Sequence, residues 1–584
     1  MENMEKTEKL HNIRHSLAHL LAAAVLQLYP DAKRTIGPAI DNGFYFDFEF
    51  SKPISDTDLP KIEKTMRKIL PSWKNFERSE LSADEAKKEY PENPYKHELI
   101  DEFTKDGQKV TFYKSGNYWD LCKGGHVENM KEVPSDCFKL DRVAGAYWRG
   151  DEKNKMLTRI YGLAFETKEE LDAYIIQQEE ARKRDHRKLG RELDLFVFSD
   201  LVGVGMPLFT PKGNIIREQI VGFSRELNNE LGFGEVHTPN INKGELFKIS
   251  GHYDKYKEDM LSVTSQYVSD EMFLKPMNCP QHTQIYASRP RSYRDLPIRY
   301  SDFAVLYRDE RPGEMSGLTR LRSFAQDDGH IFCREDQIKN EIANILSAIQ
   351  KALAVYKIEY WMRLSLRDPN KKEKYLGGDD VWEKSQLIMR ELLKEKNITN
   401  KEAEGEAAFY GPKIDIMAVD AIGREWQIST IQLDFNQPKR FELEYAENDG
   451  TKKTPAMIHR ALIGSPDRFL GILIEHYAGA FPLWLSPVQV KIIPVRENHN
   501  EYATKVYELL RENNIRAELD SKDENLGSKV RDAKTNKIPY WIVIGDKEIE
   551  AGKVTLESRD SGNLGQMSQE EVASKLVSEI KNKK

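Results

Sequence analysis

Cysteine is scarce in this chain, with four residues in 584. So few thiols in so long a chain exclude a disulfide framework and suit a reducing compartment, so a cytoplasmic location is expected. No apolar run approaches the roughly 18 residues of a membrane-spanning helix, so no membrane partner is expected. The N-terminus MENMEKTEKL is acidic and polar, which excludes a secretory or transit peptide. Positive charge is not in excess. The formal net charge of -7 argues against a uniformly basic nucleic-acid binder and leaves room for a local basic face only. Internal repeats and low-complexity tracts are absent too, which excludes a solenoid or an array. What remains is a chain with 31% charged residues, far longer than one hydrophobic core supports, so three or four domains are expected.

Three short segments stand out against this background. Cys279 lies in Pro276-Met277-Asn278-Cys279-Pro280, His330 ends Asp327-Asp328-Gly329-His330, and His459 lies in Met457-Ile458-His459-Arg460. One Cys and two His in such sharply defined contexts read as three zinc ligands from distant parts of one fold. Three protein ligands leave a fourth position open, the pattern of a working zinc. An open zinc can take an amine and a hydroxyl from one small substrate, and so test whether the hydroxyl is present. Any one Cys and two His picked blindly would far more often be a buried thiol and two hydrogen-bonded imidazoles. The neighbouring motifs reverse that expectation: Tyr307-Arg308-Asp309-Glu310, the run Leu318 to Phe332, and Gly464-Ser465-Pro466-Asp467-Arg468-Phe469. A second constellation sits near the N-terminus. His15 and His19 share one face of a strong helix pattern. Asp120-Leu121-Cys122-Lys123-Gly124-Gly125-His126 adds Cys and His at a spacing that can hold zinc.

With these motifs in this order, the chain resembles the threonyl-tRNA synthetases, class II aminoacyl-tRNA synthetases, from about Ile13 to the C-terminus. Motif 1 corresponds to Ile220 to Pro239, motif 2 to Phe303 to Phe332, and motif 3 to Gly464 to Phe481. The resemblance implies a multidomain α+β chain: an N-terminal tail 1–11, an α+β editing domain 12–165 shared with alanyl-tRNA synthetases, and a linker helix 166–190. A class II catalytic domain on an antiparallel sheet, 191–487, and a C-terminal α/β anticodon-binding domain, 488–584, follow. The small ubiquitin-like domain that many bacterial relatives carry ahead of the editing domain is expected to be absent.

The implied reaction joins threonine and ATP into threonyl-adenylate, then charges the 3′ end of tRNA(Thr) with release of AMP and pyrophosphate. One zinc per subunit at Cys279, His330 and His459, magnesium (Mg) with ATP, and a homodimer packed across motif 1 come with it. Such chemistry is mostly positioning plus cation stabilisation of phosphate charge. By resemblance Arg308 meets the α-phosphate and Arg468 the γ-phosphate, where a planar guanidinium can bind two oxygens. Glu310 would hold the adenine amino group, Arg320 the β- and γ-phosphates, and Phe324 the adenine face. Gln326 would bridge phosphate and carboxylate. Asp328 and Tyr410 would hold the ammonium, Gln427 would line the threonine side and Gln432 the nucleotide side. Lys413 and Met277 would border the pocket, and His252 would help move the proton of the tRNA 3′-terminal hydroxyl. Ser316 precedes Gly317-Leu318 where the family often has His, so acceptor-stem contacts are expected to differ.

The N-terminal constellation then reads as an editing site of His15, His19, Lys96, Asp120, Cys122 and His126, working without metal. Gly125 replaces the family's more usual Pro, with loop stiffness the expected consequence. A site that binds a hydroxyl rejects an analogue lacking it by roughly 10⁴–10⁵, which covers valine. Serine lacks only a methyl, worth roughly 10–200-fold, so seryl-tRNA has to be hydrolysed afterwards. Thr167-Lys168-Glu169-Glu170 reads as a capping box for a helix over Leu171–Leu189 that stops at Gly190. Its basic run Arg182, Lys183, Arg184, Arg187 and Lys188 could meet tRNA phosphates. In the last domain, strand patterns over Val488–Val495, Ile515–Leu519 and Ile538–Ile544 alternate with helical ones over Glu501–Asn513 and Asn525–Thr535. They predict a largely parallel sheet. Ser568 and Glu571 cap the final helix, and Glu550 and Arg559 match anticodon contacts.

Overall fold

The computed structural model describes residues 2–105, 107–311 and 313–584, the side chains of 2–7 excepted. The chain divides into two compact units, 1–179 and 180–584. The division falls inside the expected linker 166–190.

The first unit is built on a helix, Glu2–Leu28, that begins well ahead of the expected domain start at residue 12. Alanines at 18, 22 and 24 and the larger Leu17, Leu20, Leu21 and Val25 are all buried in its second half. That face covers a sheet whose strand Gly43–Glu49 carries Phe44, Phe46 and Phe48, all buried. Burying each such ring is worth roughly 1.5–3 kcal/mol. On the neighbouring strand Met156–Ala164, a Cβ at Gly162 would lie 2.4 Å from the Phe44 ring, so only glycine admits it. A second, all-antiparallel sheet of Glu77–Leu81, Val110–Ser115 and Tyr118–Leu121 carries Asp120 and leads into Cys122.

The second unit centres on an eight-stranded sheet in the order 234–235, 298–302, 328–333, 456–461, 425–434, 413–419, 359–366, 400–404. The six inner strands pair antiparallel, as expected, while the pairing at each edge is parallel. Strands Asp328–Cys333 and Ala456–Ala461 are buried at every position, so His330, His459 and Arg460 sit inside the core. Arg460 is tolerated there because it pairs with Asp327 at 2.6 Å and with Asn228 at 2.6 Å. A Cβ at Gly329 would lie 2.4 Å from that guanidinium, which is why Asp-Asp-Gly-His needs its glycine.

Two sequence expectations need correction. The segment after Thr167 is two helices, Lys168–Arg184 and His186–Glu192, the second capped by Asp185 accepting from the Arg187 N–H at 2.8 Å. Gly190 lies inside the second helix. It is there because a Cβ would meet the Phe196 ring at 2.3 Å, a packing reason. In the last domain the sheet order is 517–519, 490–494, 540–544, 554–558, 562–567. Its first two pairings are parallel and the next two antiparallel, so the sheet is mixed. The capping box at Ser568 and Glu571 forms as expected.

Candidate active site

His330 and His459 are direct cross-strand partners in adjacent antiparallel strands, and Cys279 opens the helix Cys279–Ala287 beside them. The three ligand atoms lie within 4.8 Å of one another, and all three residues are buried. His330 Nε2 and His459 Nδ1 are 3.0 Å apart. Their outward nitrogens are occupied: His459 Nε2 by Asp434 Oδ2 at 3.0 Å, and His330 Nδ1 by His282 Nδ1 at 2.8 Å. Partners of this kind fix the tautomer of a metal-binding imidazole. Burial pushes the Cys279 thiol up and the His330 imidazole down, so both are neutral without a cation. A thiol and two neutral imidazoles with their outer nitrogens held suit zinc. Asn278 and Gln437, beside the triad, keep buried amide atoms without protein partners.

The surrounding wall gathers several residues singled out in the sequence. Asp328 Oδ1 is 3.8 Å from His330 Nε2. The Tyr410 ring stacks on His459 at 4.5 Å, and its hydroxyl donates to Gln432 Oε1. His252 is fully buried, with Nε2 3.0 Å from Met277 Sδ and 3.6 Å from Cys279 Sγ. Burial lowers its pKa to about 3, which keeps it neutral.

From this triad the strands run to a cleft of about 460 Å³ lined by Arg308, Phe324, Gln326, Gln427, Ser465 and Arg468. The Arg308 guanidinium lies over the Phe324 ring at 5.1 Å. Among the described residues neither Arg308 nor Arg468 has a carboxylate within ion-pair distance, and Arg468 Nε is buried without a partner. Burial lowers both pKa values, and Arg308 adds to the effect on Arg468. Two unpaired cations in one cleft make an anion site. The local sequence explains the geometry. Gly464 has φ +71° and its Cβ would lie 2.3 Å from the Ile428 carbonyl oxygen. Ser465 caps the helix Pro466–His476, with Pro466 in its first turn. Asp467 accepts from the Ala325 N–H at 2.6 Å and from Arg217 at 2.7 Å, binding motif 3 to motif 2.

Other expected residues are differently engaged. Glu310 and Arg320 pair with each other at 2.8 Å, and Arg320 also meets Glu314 at 2.7 Å. Lys413 Nζ lies 2.8 Å from Asp415, which also accepts from Arg363, Ser365, Gln427 and Thr430. The two glutamines exchange the places expected of them. Gln427 lines the arginine cleft, while Gln432 is the cross-strand partner of His459. The register against the neighbouring strand shifts between Ile416 and Met417 because Ile428, on the glutamines' own strand, is an extra residue. His282, Asp434 and Asp415 were not singled out from the sequence. Only His282 had a signal, the Cys279-x-x-His282 spacing.

In the first unit, His15, His19, Cys122 and His126 also come within 4.8 Å of one another. Cys122 Sγ is 3.5 Å from His15 Nε2 and 3.3 Å from His126 Nε2. Lys96 and Asp120 form a buried pair at 2.6 Å. Arg34 at 3.4 Å, Tyr90 at 2.6 Å and Tyr118 at 2.8 Å complete the carboxylate's surroundings. Burial alone would raise the Asp120 carboxyl, but Lys96 and Arg34 outweigh it and hold it below the usual carboxylate range. Burial brings His19 down to about 3 and Cys122 up to about 11. A cavity of about 480 Å³ opens on His15, His19, Lys96, Asp120 and Cys122. Gly125 has φ +84°, which proline cannot adopt, so the Gly for Pro exchange affects the path of the loop and not its stiffness alone.

In the last domain, Glu550 is exposed on the helix Asp546–Ala551. Arg559 donates to the carbonyls of Lys537 at 2.8 Å and Phe481 at 3.1 Å and pairs with Asp560 at 2.9 Å. These bonds hold the guanidinium that the resemblance gives to the anticodon. Among the described residues no helix is long and apolar enough to cross a membrane.

A six-stranded antiparallel centre carrying motif 2 and motif 3 arginines in one cleft defines a class II aminoacyl-tRNA synthetase. Family models agree: residues 262–477 match "tRNA synthetase class II core domain (G, H, P, S and T)", 489–579 "Anticodon binding domain", and 110–161 "Threonyl and Alanyl tRNA synthetase second additional domain". The chain is 48% identical to a threonine–tRNA ligase of Rubrobacter xylanophilus, over 96% of this chain and 87% of that one. It is 47% identical to the chloroplastic/mitochondrial threonine–tRNA ligase 2 of Arabidopsis thaliana, over 98% and 87%. The crystal structure of the RNA binding domain of threonyl-tRNA synthetase from Cryptosporidium parvum superposes with a TM-score of 0.65 at 36% identity, covering 68% of this chain and 98% of that one. The chain belongs to the threonyl-tRNA synthetase family.

Proposed function

We propose that Cys279, His330 and His459 hold one zinc per subunit in the threonine pocket of an ATP-dependent threonine–tRNA ligase. The observation that carries this reading is a buried thiol–imidazole–imidazole triad joined by continuous strands to a cleft with two unpaired arginines. Zinc bound there supplies an electrophilic position that accepts an amine and a hydroxyl together. Asp328 and Tyr410 orient the amino acid. Arg308 and Arg468 neutralise the ATP phosphates, which magnesium accompanies, and Phe324 supports the adenine. Gln326 bridges the two ligands. Glu310 and Arg320 reach the nucleotide by exchanging their mutual pair for it. Gln427 belongs with the nucleotide and Gln432 with threonine. His252, neutral and buried beside Met277 and Cys279, helps move the proton of the tRNA 3′-terminal hydroxyl. His15, His19, Lys96, Asp120, Cys122 and His126 bind and hydrolyse mischarged seryl-tRNA(Thr), and Glu550 faces the anticodon. The protein works as a cytoplasmic homodimer.

Pyrophosphate exchange with threonine, serine, valine and proline in parallel tests the pocket. Threonine should exchange fastest, serine measurably, and valine and proline at background. Exchange with valine near the threonine rate would refute a pocket that measures the hydroxyl.

A further inference from the structure

The segment expected to link the two units holds a buried histidine that the proposed reaction does not use. His186, in the short helix His186–Glu192, is 3% exposed. Its Nδ1 lies 2.6 Å from Glu475 Oε1, and its backbone N–H donates to the same oxygen at 3.1 Å. Its Nε2 accepts the backbone N–H of Leu318 at 2.9 Å. An Nε2 that accepts carries no proton, so Nδ1 carries it and donates to the carboxylate. The tautomer is therefore fixed by its two partners.

Those partners belong to the two ATP motifs. Glu475 sits in the last turn of the helix Pro466–His476, whose first turn supplies Arg468. Leu318 lies two residues before Arg320 on the segment that leads to Phe324, and it lines the arginine cleft. One glycine makes room for the imidazole and a second lets Leu318 approach the motif 3 helix. A Cβ at Gly317, where φ is +51°, would come within 2.1 Å of His186 Nε2. A Cβ at Gly471 would lie 3.6 Å from His186 Cδ2 and 3.1 Å from the Leu318 Cβ. Glu475 is held from its other side by Arg424, and Arg184 donates to the carbonyls at the end of the same helix.

We infer that His186 is a positioning residue for ATP: it locks the returning arm of the motif 2 loop to the motif 3 helix, so that Arg308, Phe324 and Arg468 face one cleft. The inference rests on the reading of that cleft as the ATP site. It assigns the second half of the apparent linker to the catalytic machinery's support, and it does not require the other unit.

Two variants separate the bonds. In His186→Asn the amide can still donate to Glu475, but nothing reaches the Leu318 N–H. In His186→Gln the longer side chain returns an acceptor to that N–H. Losing a partner for a buried N–H costs enough to expect the KM for ATP in pyrophosphate exchange to rise about tenfold in His186→Asn. The KM for threonine should stay within about twofold, and His186→Gln should recover most of the loss. Arg468→Ala, measured alongside, tests the cleft. If it leaves the ATP KM unchanged, the ATP-site reading fails; if it raises the KM while His186→Asn does not, the inference alone fails. Equal rises in the ATP and threonine constants, or no rescue by Gln, would also overturn it. Should the Asn variant not fold, hydrogen exchange of the unmodified protein decides. The Leu318 amide, though in a turn, should exchange as slowly as those of the strand Ser323–Ala325, and rapid exchange there would sink the proposal.

Discussion

The two histidine–cysteine clusters of this chain are almost the same in composition and opposite in setting. Each brings a thiol and imidazole nitrogens within 4.8 Å, with outward nitrogens held by Asp434 and His282 in one and by Gly125 and Ser16 in the other, where His19 Nδ1 stays buried without a partner. Ligand inventory alone therefore does not distinguish them. Charge does. Around Cys279 the nearby carboxylates are Asp328 and Asp434, neither of them in an ion pair with Lys or Arg. Around Cys122 the buried carboxylate among the described residues, Asp120, is claimed by both Lys96 and Arg34. A dication is attracted to the first and repelled from the second. On the proposed reading, the unpaired charge behind the ligands selects the metal, and the second cluster receives a neutral or anionic group from a substrate.

The largest expected effect comes from removing a ligand of the first cluster. His459→Ala should lower threonine-dependent pyrophosphate exchange by roughly 10³-fold or more, while its clearance of pre-formed seryl-tRNA stays near wild type. Loss of both activities together would collapse the contrast. The reciprocal change is His15→Ala with His19→Ala. Threonine activation should stay within about twofold and clearance of seryl-tRNA should fall by roughly 10²-fold or more, read with labelled seryl-tRNA. Valyl-tRNA should not accumulate in this variant. If seryl-tRNA is cleared at the wild-type rate, the N-terminal cluster has no part in editing.

A smaller effect tests the charge argument itself. Lys96→Met leaves Asp120 with only Arg34 as a cation, so added zinc should bind the first unit about tenfold more tightly than in wild type. No change in zinc titration would mean that charge does not separate the clusters. The smallest expected effect concerns acid. His19 has a folded pKa of about 3, below its unfolded value, so the folded state stays neutral where the unfolded chain takes up a proton. Its contribution is present above about pH 6.5 and lost as the pH falls below it, at roughly 1 kcal/mol per pH unit. Urea midpoints followed from pH 7 to pH 5 should fall more steeply in wild type than in His19→Phe. Parallel slopes would contradict the buried neutral imidazole.

Much of this was legible in the chain itself. Cys279, His330 and His459 were set by their neighbours, and the motif Gly464 to Phe469 marked Arg468, while the Ser465 cap that presents it came from the structure. The rest depended on tertiary detail. The places of Gln427 and Gln432 depend on strand pairing, which no local pattern records. Nothing in the neighbourhood of Arg559 foretells its carbonyl partners at Phe481 and Lys537. His186 lay in a charged helical stretch whose composition reads as solvent-exposed, yet its two partners are 132 and 289 residues away. Gly190 and Gly125 were read from local rules of stops and stiffness, and both are governed by what packs against them or by the sign of φ.

The contrast between the clusters is tested most directly by counting metal in the intact protein with native mass spectrometry, beside Cys279→Ala and Cys122→Ala. The account predicts one zinc per chain in the wild type, none in Cys279→Ala and one in Cys122→Ala. Two zinc ions per chain in the wild type, or one that disappears with Cys122, would contradict it.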